Sequence, residues 1–542
     1  MSKRSRGATP PGFRVKDNNV LRRKLNDPQK EIEIADEIAK GAKYVIVGPL
    51  RKVPPYWFTY NTFCKQRWQG RELCEVFTTE FRDREKEYYG KAIDAGLVTV
   101  NTHVATKEQK LHDGDLISHR THKHEQPVSS RPIKIVHEDD DLVVIDKPGG
   151  IPAHPTGRFK FNTVVSILKY EHKIECHPCN RLDRLTSGLM FLAKNPKKAD
   201  QIGKQIRERE VTKLYFARVK GEFPLTAECS EPIATIDPKV ALNMVTPDGK
   251  EAKTLFRRVS YDGETSIVEC QPFTGRTHQI RVHLQYLGHP IANDPIYSNP
   301  DIWGENLGRA GGDDGKTIAE ALDKIGKTAP ARSWVNQGDG EVLSGVNCEQ
   351  CGTPLYTDPG PSDLDLWLHA YKYKANDGTW GYETGLPTWM SEIHMPFMEL
   401  ALQEAKKCTP IDSAFCVGAV LCKDGKVLGT GYTRELEGNT HAEQCALEKY
   451  RARHGEDVPP GTVIYTTMEP CSFRLSQNEP CVERILKAPI KTVFVGVVEP
   501  GDFVENNDGR SKLEAAGVHY IHLKGLEEEC LAVAKKGHSE KV

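Results

Sequence analysis

A chain of 542 residues is long for one domain; at about 150 residues per domain it predicts three or four units. With 38% hydrophobic and 27% charged residues it reads as an ordinary water-soluble protein, and a formal charge of -1 leaves nucleic-acid binding to local basic patches. No apolar run approaches the ~20 residues of a membrane span, and the amino terminus lacks the apolar stretch of a secretory signal. The fifteen cysteines then read as reduced thiols and metal ligands in a cytoplasmic chain, with a nuclear or mitochondrial fraction left open by its basic start.

Residues 1–30 are rich in Lys, Arg, Pro and Gly and predict a solvated arm, with RNA contact or nuclear import as the functional alternative. The arm and the extension behind it take residues 1–76. A small periodic unit follows over 77–127. It has helical spacing over 79–95, a strand and turn over 96–101, and a turn with a second strand over 111–117. Its pattern resembles the S4-type RNA-binding module that often precedes a modifying domain.

From residue 133 the chain becomes β-rich. Strands are predicted at 133–136 and 142–145 around the acidic turn Glu138-Asp139-Asp140-Asp141, then at 213–219, 254–259 and 266–271. The polar, Gly-rich stretch 305–346 reads as an inserted surface loop, and 375–391 as a linker. The last unit, 392–542, alternates: helix 397–407, strands 415–421 and 427–431, helix 442–453, strand 462–467, helix 482–488, strand 492–497. That alternation predicts a three-layer α/β domain with its site at strand-to-helix junctions.

That last unit carries His441-Ala442-Glu443, then Glu469-Pro470-Cys471, then Pro480-Cys481. One imidazole and two thiols supply three zinc ligands and leave a fourth position open, the hallmark of a catalytic zinc site. Glu443, two residues past the histidine and not a ligand, is placed to shuttle protons. This is the H-x-E…P-C…C pattern of zinc deaminases. The loop between the cysteines, 472–480, is long where nucleobase deaminases have two to four residues. The motif with this loop resembles the deaminases of riboflavin biosynthesis. The resemblance implies a cytidine-deaminase-like fold, one Zn2+, and a ribitylaminopyrimidine phosphate as substrate. Arg474 is then the expected phosphate partner and Asn439 a contact to the substrate amide or ribityl chain, with plain loop structure as the alternative for both.

The β-rich unit carries Asn180-Arg181-Leu182-Asp183-Arg184-Leu185-Thr186-Ser187-Gly188 and, downstream, Tyr215 and Gly275-Arg276-Thr277-His278-Gln279-Ile280-Arg281. One carboxylate, several arginines, one aromatic and no metal set fit a phosphate-bearing substrate with a stacked base. These blocks, with Asp146-Lys147-Pro148-Gly149-Gly150 before them and Leu368-His369-Ala370 after, resemble the RluA-type RNA pseudouridine synthases. The resemblance covers 128–374 and implies an α+β domain with a mixed, mostly antiparallel sheet and no cofactor. It makes Asp183 the catalytic carboxylate. Tyr215 becomes the residue stacked on the base and assisting removal of its proton, and Arg281 the partner of Asp183. Arg181 contacts the RNA. Asn180 departs from the histidine that many members have there.

The two resemblances together are similar to fungal bifunctional enzymes that deaminate the ribitylamino intermediate and modify uridine in the tRNA anticodon loop, at position 32. tRNA and the small pyrimidine are then the partners, with no membrane and with homodimerisation through the deaminase domain open. Two alternatives stand beside this reading: an RNA-editing deaminase served by an RNA-delivery domain, and an active deaminase with a non-catalytic RNA-binding half. Two C-x-x-C pairs, Cys176/Cys179 and Cys348/Cys351, read as loose reduced thiols, a four-thiol zinc site being the other reading.

Overall fold

The structure, a computed structural model, describes residues 43–81, 86–328, 342–474, 478–499 and 507–537. The basic arm over 1–30 lies outside these residues. Among the described residues no helix is long and apolar enough to cross a membrane.

The first unit is built on an antiparallel sheet in the order Tyr56–Phe63, Leu116–Lys123, Val98–Val100, His103–Val104. Helices Leu73–Glu80 and Lys86–Asp94 cover one face, burying Trp68, Leu73, Phe77, Tyr89 and Ile93 against Val98 and Ile117. The unit therefore begins well before residue 77. Its edge strand, Tyr-Trp-Phe-Thr-Tyr-Asn-Thr-Phe, has the aromatic and β-branched content that suits a half-buried strand.

The β-rich unit is a ten-stranded sheet. Its main path runs Thr226–Cys229, Thr254–Tyr261, Thr265–Pro272, Val211–Lys220, Leu368–Ala375, Ser187–Ala193, Leu142–Lys147, Lys134–Glu138. All pairs are antiparallel except the central one, Ser187–Ala193 with Leu368–Ala375. That parallel pair is held by close approach at Gly188. A Cβ there would lie 2.3 Å from the Ala370 carbonyl oxygen, and φ is +110°, a conformation that favours glycine. Since Gly188 follows the Asp183 turn directly, the same contact anchors that turn.

Two stretches differ from their sequence reading. Residues 305–346 are more than a loop: Gly315–Thr328 is a helix, because Ile318 and Leu322 at i,i+4 spacing give it an apolar face against Met244 and Trp303. Residues 375–391 are not a free linker. Gly381–Glu383 pairs with Leu368–Ala375 as an added strand, and the next helix already starts at Thr388.

The last unit is a five-stranded mixed sheet, Lys426–Tyr432, Gly418–Lys423, Val463–Met468, Thr492–Val497, His519–His522. Strand alternation splits its core in two. Ala419, Leu421, Ile464, Val493 and Val495 face helices Ala442–His454, Cys481–Lys487 and Gly509–Ala515. Val420, Cys422, Val463, Tyr465 and Phe494 face helix Thr388–Ala405. This second face also takes in Phe216, Val259 and Ile267 of the ten-stranded sheet, so the two large units share one apolar layer. Thr492 Oγ1 donates to the Val259 carbonyl at 2.8 Å and seals one side of it.

Candidate active sites

The turn bearing Asp183 lies between the short strand His177–Pro178 and Ser187–Ala193. Lys147, fully buried, ties it down: its ammonium donates to the carbonyls of Pro148 and Ile151, each at 2.9 Å, and of Arg184 at 3.1 Å. The Gly150 N–H adds a bond to the same Arg184 carbonyl at 2.9 Å. Asp183 itself remains partly exposed, its side chain 37% accessible, at the mouth of a buried polar chain.

Arg281, on helix Gln279–Tyr286 and 4% exposed, places Nη1 3.5 Å from Asp183 Oδ2. Its Nε and Nη2 bind Asp294 at 2.6 and 2.9 Å. Asp294 has no exposed surface and also accepts the N–H groups of Ile296 and Tyr297 at 2.8 and 3.0 Å. Burial opposes the Asp294 charge, but Arg281 and those N–H groups outweigh it and hold the carboxyl below its ordinary range. His278 Nε2 stands 3.5 Å from the same Asp183 oxygen. Tyr215 sits at a register shift of strand Val211–Lys220, where a bulge re-aims the side chain. Its hydroxyl bonds the buried Tyr373 hydroxyl. Burial, then Tyr373, push the Tyr215 phenol well above its ordinary range, and the nearby Asp183 charge adds to this.

The expected residues Asp183, Tyr215 and Arg281 thus come together; Arg181 is exposed on the same turn and joins no bond of this cluster. Asn180 turns inward and accepts the Phe191 N–H at 2.8 Å. Asp294, His278, Tyr373 and Lys147 enter the site without having been singled out. His278 and Lys147 lie inside the quoted motifs, whereas Asp294 and Tyr373 arrive only through strand and helix packing.

In the five-stranded unit, His441 caps helix Ala442–His454 with an extended backbone, and Cys481 is the first residue of helix Cys481–Lys487. Gly431 lets the edge strand lie against the first of these helices; a Cβ there would be 2.4 Å from the Ala442 carbonyl oxygen. His441 Nδ1 is 3.5 Å from Cys471 Sγ and 3.5 Å from Cys481 Sγ, and the Cys481 N–H donates to Cys471 Sγ at 3.4 Å. All three ligand atoms lie within 4.8 Å of one another. The adjoining Cys481 and then His441 hold Cys471 far below the ordinary thiol range, while Cys481 is pushed up. The Cys481 N–H, at a helix amino terminus, adds to the stabilisation of negative charge on Cys471.

Glu443 is 3% exposed, accepts Thr466 Oγ1 at 3.0 Å and the Cys481 thiol at 3.3 Å, and is raised by burial. Arg474 is buried rather than open to a ligand: it donates to the Asn439 carbonyl at 2.5 Å and to Gln444 Oε1 at 3.3 Å. Its Nε has no hydrogen-bond partner. Asn439 is exposed beside it. Part of the loop, 475–477, lies outside the described residues.

The two C-x-x-C pairs do not meet. Cys348 and Cys351 face His122 and His124, while Cys176 and Cys179 stand apart from that group.

A ten-stranded sheet with a carboxylate–arginine cluster is joined to an α/β unit with a His-Cys-Cys set. A family model described as RNA pseudouridylate synthase matches residues 141–286, and one described as cytidine and deoxycytidylate deaminase zinc-binding region matches 391–497. The Saccharomyces cerevisiae protein named tRNA pseudouridine(32) synthase, mitochondrial, is 57% identical over 359 residues, 64% of this chain and 78% of the relative. The Schizosaccharomyces pombe diaminohydroxyphosphoribosylamino-pyrimidine deaminase is 47% identical over 148 residues, 27% of this chain and 36% of the relative. The crystal structure of Aspergillus oryzae Rib2 deaminase, a C-terminal deletion mutant at pH 4.6, is 40% identical; it covers 27% of this chain and 93% of that chain, with a TM-score of 0.26. The chain belongs to the RNA pseudouridine synthase family and carries a cytidine-deaminase-like domain behind the synthase domain.

Proposed function

We propose that this chain is bifunctional. Its synthase half isomerises uridine to pseudouridine in tRNA, at position 32 of the anticodon loop. Its deaminase half hydrolyses the amine of 2,5-diamino-6-ribitylamino-4(3H)-pyrimidinone 5′-phosphate, a precursor of riboflavin. The observation that carries the first activity is the buried Arg281–Asp294 pair standing behind the half-open Asp183 carboxylate. The names of the yeast relatives support the two substrates.

In the synthase site the target uridine is turned out of the RNA, as enzymes that act on a base require. Asp183 assists breaking of the N1–C1′ bond. The base reorients, C5 bonds to C1′, the C5 proton leaves and N1 gains one, so no cofactor is needed. Arg281 presents a fixed positive charge to Asp183, Arg181 contacts the RNA, and Tyr215 stacks on the base. Its phenol, raised by burial, suits stacking and hydrogen bonding rather than proton abstraction. The first unit is read as the S4-type RNA-binding module. In support, Trp57, Phe58 and Tyr60 of its edge strand each lie under a cation, Arg120 at 5.0 Å, Lys160 at 3.4 Å and Lys123 at 4.9 Å. Such basic and aromatic surfaces suit single-stranded RNA.

In the deaminase site His441, Cys471 and Cys481 would hold one zinc ion; their spacing and the Cys471 thiolate fit it. Bound there, zinc supplies Lewis acidity that makes water a better nucleophile at neutral pH. Glu443 moves protons to the ring nitrogen and the leaving ammonia. Thr466 fixes the carboxylate while it does so.

The test is a pair of assays on the full chain. Asp183→Asn should stop pseudouridine formation in tRNA and leave ammonia release from the pyrimidine phosphate intact; Glu443→Gln should do the reverse. Ammonia release from RNA instead of the pyrimidine overturns the deaminase assignment. Subcellular fractionation decides between a cytoplasmic chain and the mitochondrial compartment in the S. cerevisiae relative's name. Sedimentation of the full chain tests a homodimer through the deaminase domain.

A further inference from the structure

A second cluster of metal-binding side chains lies outside both sites. His122 is the last residue but one of strand Leu116–Lys123, and His124 follows the strand. Residues two apart on extended chain point to one side. Trp57, opposite His122 in the sheet, packs its ring 4.9 Å from that imidazole and fixes it. The other half comes from the segment inserted in the synthase domain. Strands Leu343–Asn347 and Pro354–Tyr356 form a hairpin whose turn is Cys348-Glu349-Gln350-Cys351-Gly352-Thr353. The Gly352 N–H donates to the Cys348 carbonyl at 2.8 Å and the Cys348 N–H to the Thr353 carbonyl at 2.9 Å. Gly352 has φ +66°, which closes the turn tightly and brings both thiols to its inner side.

The four side chains converge although their partners are 226 and 227 residues apart in sequence: His122 Nδ1 to Cys348 Sγ is 3.6 Å, and His124 Nε2 to Cys351 Sγ is 3.3 Å. All four ligand atoms lie within 4.8 Å of one another. A tetrahedral ion with metal–sulfur bonds of ~2.3 Å and metal–nitrogen bonds of ~2.0 Å sets ligand–ligand edges of roughly 3.3–3.8 Å. The imidazole–thiol distances fall in that window, as do those of the His441 set, at 3.5 Å. The groups do not merely pack: two imidazoles and two thiols hold little apolar surface, and each thiol is paired with a different ring.

We propose that His122, His124, Cys348 and Cys351 form a second, structural zinc site that clamps the N-terminal unit to the hairpin inserted in the synthase domain. Four protein ligands leave no open position, so this site staples and does not catalyse. Two sulfurs and two nitrogens in a tetrahedron select zinc over hard cations, which take oxygen. Two further contacts hold the hairpin in place. Lys52, on strand Leu50–Lys52 just ahead of the N-terminal unit, pairs with Asp358 just beyond the hairpin, and Arg158 of the synthase domain lies over the Tyr356 ring at 4.9 Å. The clamp would set where the N-terminal unit stands relative to the Asp183 mouth.

The test counts zinc in the full chain, purified without a histidine tag, by mass spectrometry. The wild type should hold two equivalents and C348S/C351S one. C471S/C481S should also hold one, with a cobalt-substituted spectrum of tetrahedral thiolate type that C348S/C351S/C471S/C481S lacks. C351H should keep both equivalents, since imidazole replaces thiolate as a ligand. A wild type with one equivalent that C471S/C481S removes overturns the clamp, and so does an unchanged count in C348S/C351S. If instead the catalytic zinc reading fails, C471S/C481S leaves the count unchanged while C348S/C351S lowers it. Should C348S/C351S prove insoluble, C471S/C481S still decides: a metal-free chain rejects the clamp.

Discussion

Arg281 binds Asp294 at 2.6 and 2.9 Å but stands 3.5 Å from Asp183, so its firm partner is not the residue at the mouth of the site. The buried pair fixes the guanidinium, and the remaining Nη1 is presented to Asp183 as a pre-placed charge. This is the arrangement expected of a group that must stabilise a carboxylate without being drawn onto it.

The role of Asp294 can be separated from that of Asp183. Asp294→Ala removes the buried partner of Arg281, leaving it only the more distant Asp183, and should destabilise the fold by about 3–5 kcal/mol. Asp294→Asn keeps the shape and should fold. It should lower kcat for pseudouridine formation by roughly 10- to 100-fold, the scale of a small misplacement in a site, with little change in tRNA binding. Single-turnover kinetics and filter binding measure the two. A loss confined to tRNA affinity would contradict a positioning role.

The His278 imidazole predicts a pH dependence. Burial, with Arg281 adding, pushes it down to about 4, whereas an unfolded histidine titrates near ~6.5. Between those values the unfolded chain binds the extra proton, so stability falls as pH falls through that window. At pH 5 the loss is roughly 2 kcal/mol, and above about pH 6.5 it vanishes. His278 has φ +57°, a region that asparagine tolerates. His278→Asn should flatten the pH dependence of the urea midpoint between pH 7 and 5; an unchanged slope would show that another group governs it.

Much of both sites was legible in the sequence because their residues are grouped in short motifs on strongly periodic elements. The runs at 142–145, 213–219 and 254–259 are strands as expected: the first is β-branched and buried on both faces, and the other two mix buried apolar with half-exposed positions. His441, Glu443, Cys471 and Cys481 converge because two helix starts meet the carboxyl end of the central strand Val463–Met468. What stayed hidden depends on contacts between distant segments. Asp294 and Tyr373 reach the synthase site through packing, not through motif. Phe216, Val259 and Ile267 look like core residues of one sheet, and only the docked helix Thr388–Ala405 reveals them as a layer shared by two domains. Cys348 and Cys351 invite pairing with the other C-x-x-C, and nothing in one chain of letters ties them to His122 and His124.

Gly188 is a sharp test of the central parallel pair. Its Cβ position is filled by the Ala370 backbone, with the nitrogen at 2.5 Å as well as the oxygen at 2.3 Å, and its φ is strained for any other residue. Neither neighbour can move without breaking strand pairing at His369 and Ala370. Gly188→Ala should therefore cost at least about 3 kcal/mol and uncouple the Asp183 turn from the sheet. Denaturant midpoints give the stability and pseudouridine assays the activity. A variant with wild-type values in both would place the strands differently.

In the deaminase site Thr466 offers a way to test positioning apart from chemistry. It is fully buried on strand Val463–Met468, and its hydroxyl lies 3.0 Å both from Glu443 Oε1 and from the Met468 carbonyl. Its hydroxyl has one hydrogen, so it donates to one oxygen at a time, and a protonated Glu443 can donate back. Thr466→Val keeps the volume and removes that partner. Zinc content should stay at the wild-type level, because no ligand is touched. Glu443 would then keep only the Cys481 thiol to orient it, and kcat for ammonia release should fall about tenfold with KM nearly unchanged, consistent with the loss of one ~1–1.5 kcal/mol hydrogen bond. Thr466→Ser should restore most of the rate. If Thr466→Val instead raised KM at constant kcat, the hydroxyl would be binding substrate rather than orienting Glu443.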